Sequence, residues 1–292
     1  MIEEGCDNTD NEKEPTGKEE MQKSKEEELQ AIEEISTGEY SVLDVSLNES
    51  PKKDFPIVGI GASAGGLAAF EAFFSAMPSD TDPGVAFVLV QHLDPNYKSI
   101  LSDLIRSFTR MPVYEATNRT DIEPNCVYII PPNRDMVLRN GVLQLMEPSQ
   151  PHGHRLPIDI FFSSLAQDKQ EKAIGIVLSG TGSDGTKGVQ TIKAEGGMVM
   201  AQTPESSEYN NMPLSAIATG QVDYVLKPEE MSAQLVAYIT YVFGKTHQEA
   251  SKFEGSMKNI FNFLLIKTGH DFSHYKYGTI NRRVERRMAV RN

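Results

Sequence analysis

Phe55-Pro-Ile-Val-Gly-Ile-Gly-Ala-Ser-Ala-Gly-Gly-Leu67 is the stretch on which the reading of the whole chain turns. Ile57 to Ile60 form a short apolar run suited to a buried strand, and Gly59, Gly61, Gly65 and Gly66 then let the backbone turn sharply. Downstream, Leu67, Phe70, Phe74 and Met77 recur at spacings of three and four, which puts them on one face of a helix that Pro78 ends. Ser63 therefore falls on a strand-to-helix turn. Orphan N–H groups and the positive end of the helix dipole favour a developing negative charge there.

Two motifs overlap in this stretch and imply different chemistry. Gly61-Ala-Ser-Ala-Gly65 fits G-x-S-x-G, a turn that exposes a serine hydroxyl above a sheet edge. Gly59-x-Gly61-x-x-Ala64 fits the looser dinucleotide fingerprint G-x-G-x-x-G/A. A third reading makes Ser63 no more than a helix cap.

Outward from this unit, apolar runs alternate with helical patterns. Val85 to Val90 is a continuous apolar run that ends in Gln91-His92, and such runs suit strands buried on both faces of a parallel sheet. Asn125–Ile130 and Gly141–Met146 read as further strands, with Asn140-Gly141 as the turn that pairs the latter with Met136–Arg139 in a hairpin. A helix is expected to begin at Ile158–Leu165. Ala173–Leu178 repeats the buried-strand pattern and opens into Ser179-Gly-Thr-Gly-Ser-Asp-Gly185, with a helix from about Lys187 to Ala194. Strands at Gly197–Ala201 and Val222–Leu226 and a helix from Met231 to Phe243 close the pattern. Alternation of this kind predicts an α/β fold, a doubly wound, mostly parallel sheet with helices on both faces.

The flanks differ in composition. Residues 1–53 carry 6 basic and 16 acidic side chains, residues 54–250 carry 13 and 22, and residues 251–292 carry 9 and 3. The first segment is too polar to bury a core, so a disordered acidic leader is expected, with Leu29, Ile32 and Ile35 on one thin helical stripe. The middle is expected to form one catalytic domain over residues 54–245. Cys6 and Cys126 are far apart and outside any C-x-x-C, which indicates neither a disulfide framework nor a zinc site. No signal-peptide pattern opens the chain and no apolar run approaches the roughly 20 residues of a membrane span, so a cytoplasmic protein without membrane insertion is expected.

Ligands of doubly wound sheets bind at the carboxyl ends of the strands. Ser63, His92 and Asp184 each follow an apolar run and are expected at that one edge. Together they match the needs of ester or amide hydrolysis: a hydroxyl to attack, an imidazole to carry its proton, and a carboxylate to orient that imidazole. The cofactor reading instead expects an acidic residue at the end of the second strand to hold a ribose, and Gln91-His92 stands there. No cofactor is expected. The order Ser, His, Asp also differs from that of the α/β-hydrolases. The N–H groups of Ala64 and of the turn at Thr181 are the candidate oxyanion donors. His152-Gly-His154 is an H-x-H with no third ligand in view, so no metal is expected.

These residues resemble the chemotaxis-type protein-glutamate methylesterases. The blocks that carry the resemblance are Gly61-Ala-Ser-Ala-Gly-Gly66, Val90-Gln-His-Leu93, Pro157-Ile-Asp159 with Phe162–Ala166, Ser179–Gly185, Ala201-Gln-Thr-Pro-Glu205, and Met212-Pro213 through Ala218-Thr-Gly220. The resemblance spans about residues 55–243. It implies Ser63 as nucleophile, His92 as general base and Asp184 as its partner in hydrolysing γ-glutamyl methyl esters on chemoreceptor helices, with glutamine deamidation as a second activity. Family members often carry Thr after the serine and Met at the place of Thr181; here Ala64 and Thr181 stand there. Residues 1–53 are too short for the receiver domain that precedes many members. A catalytically silent receptor-binding or scaffold module of the same fold is the alternative.

The tail has a resemblance of its own. Phe253, Met257, Ile260, Phe261, Leu264 and Leu265 form a helical stripe, and residues 267–288 with it resemble the first two helices of the small helical domain of chemoreceptor methyltransferases. Residues 251–292 are thus expected to be an incomplete helical region of that kind. Arg282, Arg283, Arg286 and Arg287 are candidate contacts for acidic receptor helices. One short basic stripe on a net acidic chain does not indicate nucleic acid.

Overall fold

The computed structural model describes residues 54–78, 82–91, 100–148, 155–244 and 259–272, together with Ile280, Val284, Arg287 and Met288. All of them belong to the compact unit Lys52–Asn292. The leader, with its expected helical stripe, lies outside the described residues.

Seven strands form one sheet in the order β10-β9-β8-β1-β2-β5-β3. They are β1 (Ile57–Ala62), β2 (Ala86–Gln91), β3 (Val113–Glu115), β5 (Val127–Ile129), β8 (Ala173–Val177), β9 (Met198–Gln202) and β10 (Tyr224–Leu226). Every pairing in it is parallel. The central strands β1, β2 and β8 are buried throughout except for Gln91 at the end of β2, which is why they read as unbroken apolar runs rather than as alternation. A smaller antiparallel sheet holds β4 (Thr120–Asp121), β6 (Asp135–Arg139) and β7 (Val142–Met146). Asn140 and Gly141, with φ of 54° and 76°, turn β6 into β7 as a hairpin of the type their sequence predicts.

Successive strand residues point to opposite faces, and each face has its own core. On one, Val58, Ile60, Phe87 and Leu89 pack with α1 (Gly66–Ser75), α2 (Leu101–Phe108) and α6 (Pro228–Phe243). On the other, Ile57, Val88 and Val90 pack with α3 (Pro157–Lys169), α4 (Thr186–Ala194), α5 (Asn211–Ala218) and the small sheet. The fold is therefore the expected doubly wound α/β arrangement. Among the described residues no helix is long and apolar enough to cross a membrane.

Two expectations for the opening unit need correction. Gly59 and Gly61 do not turn the chain but sit inside β1, paired with Val88 and Val90. Their role is to let α3 approach: a Cβ on Gly61 would meet Ile158 at 2.4 Å, and one on Gly59 would meet Phe162 at 2.9 Å. The turn itself belongs to Gly65, whose φ of 72° is the left-handed conformation that glycine adopts without steric cost. The buried face of α1 is Gly66, Ala69, Phe70, Phe73 and Phe74, whereas Leu67 is 38% exposed.

Residues 259–268 are helical, as the tail pattern predicts. Within the expected stripe, Phe261 and Leu264 are half-buried while Ile260 and Leu265 are exposed; Phe253 and Met257 lie outside the described residues. The Phe261 ring stacks with that of Phe272 at 6.1 Å.

Candidate active site

The strand order places a reversal beside β1. Strands β2, β5 and β3 lie on one side of it, and β8, β9 and β10 on the other. A crevice opens outside the carboxyl ends of the strands at such a switch point. Ser63 follows β1 and Gly180–Asp184 follow β8, so these two segments border that crevice.

Ser63 is half-buried. Its N–H donates to Ser179 O at 2.9 Å, and its carbonyl accepts from Gly66 N at 3.0 Å and Gln91 Nε2 at 3.4 Å. The parallel ladder between β1 and β8 thus continues one step beyond the strands. The buried hydroxyl of Ser179 donates to Ala64 O at 2.9 Å and accepts from Tyr209 N at 3.0 Å. Ser179 N in turn donates to the Gln202 side chain at 2.8 Å, which donates to Ser206 O at 2.9 Å. The turn after Ser63 is therefore held by side chains from β9 and the loop beyond β8. Among the described residues, the N–H groups of Ala64 and Thr181 donate to no protein acceptor.

Asp184 is 3% exposed. Its Oδ2 accepts from Ile158 N at 3.0 Å, and its Oδ1 accepts from Asp159 N and Gly185 N, each at 2.9 Å. Pro157 opens α3 and has no N–H, so Ile158 and Asp159 present the first orphan donors of that helix, and both go to Asp184. A carboxylate offers about four acceptor sites. Among the described residues, backbone donors take two of them on Oδ1 and one on Oδ2.

Asp159 stands beside it and is also buried. Its Oδ1 accepts Gly188 N, in the first turn of α4, at 2.7 Å. Burial pushes the Asp159 carboxyl above the usual carboxylate range and the Asp184 charge adds to this, while the Gly188 N–H opposes it. A carboxyl whose pKa is higher folded than unfolded contributes stability that is complete below its unfolded pKa and is lost as pH rises through its folded pKa. Asp159→Asn is accordingly expected to have a higher Tm than wild type at pH 8, with the gap closing as pH falls through the Asp159 titration. Thermal unfolding at a series of pH values measures this; a gap that widens on acidification contradicts it.

Of the residues singled out from sequence, the structure brings Ser63, Ala64, Thr181 and Asp184 to one edge. His92 directly follows Gln91, the end of β2, but itself lies outside the described residues, as do His152, His154, Arg282, Arg283 and Arg286. Arg287 is exposed and lines a cavity of about 410 Å³ with Gln190, Lys193, Gly220 and Asp223, at the far end of α4 from Asp184. Sequence reasoning missed Ser179, Gln202 and Asp159 as supports of the site. Each lies in a block that carries the family resemblance, which is the one signal that could have found them.

A family model described as CheB methylesterase matches residues 58–235, and one described as CheR methyltransferase, all-alpha domain, matches residues 256–292. An uncharacterized 104.1 kDa protein of Rhodobacter capsulatus is 33% identical over 215 residues, covering 65% of this chain and 22% of that protein. A protein-glutamate methylesterase/protein-glutamine glutaminase of Burkholderia lata is 34% identical over 193 residues, covering 65% of this chain and 56% of that protein. The chain thus spans only part of the length of either relative. In structure it is similar to the Thermotoga maritima CheB methylesterase catalytic domain, with a TM-score of 0.57 and 30% identity, covering 62% of this chain and 97% of that one.

Proposed function

The chain belongs to the CheB methylesterase family, and from this premise we propose that it hydrolyses methyl esters of glutamate side chains on chemoreceptors through Ser63, His92 and Asp184. The observation that carries the proposal is the junction of two remote turns at the sheet's switch point, where Ser63 N–H bonds Ser179 O and, among the described residues, no acceptor takes the Ala64 or Thr181 N–H.

In this reading Ser63 Oγ attacks the ester carbonyl while the imidazole of His92 takes its proton. The oxyanion of the tetrahedral intermediate accepts the Ala64 and Thr181 N–H groups, each typically worth about 10²–10³ in rate. Protonated His92 then gives its proton to the departing methoxide, which leaves as methanol. Water, deprotonated by the same imidazole, attacks the glutamyl-serine ester and regenerates Ser63. Asp184, held by three backbone donors, orients His92 and stabilises its charged form. A glutamine side chain in the same place would release ammonia by the same steps.

The oxyanion donors of this reading are backbone groups, which are present whichever side chains stand at positions 64 and 181. The proposed catalytic domain is residues 54–245. Residues 251–292 are proposed as a methyltransferase-type helical region whose basic run, with Arg282, Arg283, Arg286 and Arg287, meets acidic receptor helices.

The test is methanol release from methylated receptor preparations by the whole chain, with labelling of Ser63 by a serine-directed fluorophosphonate in parallel. Release with labelling at Ser63 supports the proposal. No methanol, or labelling elsewhere, overturns it.

A further inference from the structure

The entries of α3 and α4 are capped crosswise, each by a carboxylate that belongs to the other. Asp184, just before α4, takes the Ile158 and Asp159 N–H groups of α3. Asp159, in the first turn of α3, takes the Gly188 N–H of α4. Neither helix has a side-chain cap from its own N-cap residue, Leu156 or Gly185. The two helices also touch closely here, since a Cβ on Gly188 would stand 2.4 Å from Phe162 Cβ.

We propose that Asp159 is the positioning residue for Asp184: by holding the Gly188 N–H it fastens the start of α4 to the start of α3, and so fixes the donors that aim the Asp184 carboxylate. For its catalytic consequence this rests on the assignment of Asp184 to the proposed triad. The arrangement keeps two buried carboxyl groups side by side, which raises the electrostatic cost of ionising them. Satisfying orphan helix donors alone does not require that, because a serine or threonine at either N-cap would do it without charge. A crosswise pair instead makes the direction of each carboxylate depend on the other helix, which suits a group whose misplacement by 1 Å can cost about 10²-fold in rate.

The experiment compares Asp159→Ala and Asp159→Asn in the whole chain, by methanol-release kinetics and by amide hydrogen exchange at Ile158 and Gly185. Asp159→Ala is expected to lower kcat roughly 10- to 100-fold with KM unchanged within about twofold. Asp159→Asn keeps an oxygen for the Gly188 N–H and is expected to restore most of kcat. Exchange at Ile158 and Gly185 is expected to quicken at least about tenfold in the alanine variant and not in the asparagine variant. A folded Asp159→Ala with wild-type kcat, an asparagine variant as slow as the alanine one, or unaltered exchange at both amides overturns the proposal. Absence of methanol from the wild type would sink the ester-hydrolysis reading instead, and the exchange arm would still decide whether Asp159 holds Asp184 in place.

Discussion

Ser63→Ala is expected to lower kcat for methanol release by about 10⁴–10⁶-fold, because it removes the oxygen that attacks the ester in the proposed mechanism. What remains is the catalysis that positioning and the oxyanion donors supply without a nucleophile, typically about 10³–10⁴ over water. The fold should not notice the change. The backbone bonds of Ser63 to Ser179, Gly66 and Gln91 do not involve the hydroxyl, and the residue is only half-buried. Stability is therefore expected to stay within about 0.5 kcal/mol, and receptor binding within a few-fold. Turnover and binding measured on the same preparation separate an enzyme from a silent receptor-binding module of the same fold. An alanine variant as fast as wild type would falsify the assignment of Ser63.

Gly180→Ala is expected to disable the site from the opposite wall. A Cβ there would stand 2.1 Å from Met212 Sδ, 3.1 Å from Met212 Cε and 3.0 Å from Ser63 Cβ. The end of a methionine is flexible, but Met212 is fully buried and its N–H donates to Gly180 O at 3.0 Å, so it has little room to retreat. Overpacking of this kind typically costs about 1–3 kcal/mol. For a domain of this size that corresponds to a fall in Tm of roughly 2–4 °C per kcal/mol. The same methyl pushes against Ser63 and the loop that carries Thr181, and a shift near 1 Å is expected to lower kcat by about 10²-fold. Steady-state kinetics with thermal unfolding reads both effects. Wild-type kcat at an unchanged Tm would show that the loop and Met212 move aside freely.

Much of the fold was legible because its signals are local. Continuous apolar runs mark strands buried on both faces, Asn140-Gly141 marks the hairpin, and helical spacing marks α1, α3 and α6. The elements without such signals went unread. Helix α2, Leu101–Phe108, is barely two turns long, and β3, Val113–Glu115, is an edge strand of three residues, two of them exposed. Helix α5 carries Pro213, which reads as a breaker in sequence but sits in the first turn, where an N–H has no helical partner to lose. In the site, Ser63 and Asp184 were legible as polar residues just past apolar runs. Their supports were not, since nothing in the local pattern distinguishes Ser179, Gln202 or Asp159 from any other polar residue.

By itself the sequence determined the alternation of strand and helix, the serine on its turn, the glycine-rich loop and the chemistry those residue types can perform. These are properties of a few neighbouring residues, set by periodicity, backbone freedom and functional group. Only the tertiary structure decided that Gly59 and Gly61 serve the approach of α3, that Gly180 must stay bare against Met212, and that Asp184 is aimed by the first turn of α3. Those facts depend on distances between segments far apart in the chain: the Ser179 hydroxyl that steadies the turn at Ser63 reaches a carbonyl 115 residues away. Such a distance is set when two apolar faces close on one sheet, and no spacing along the chain records it.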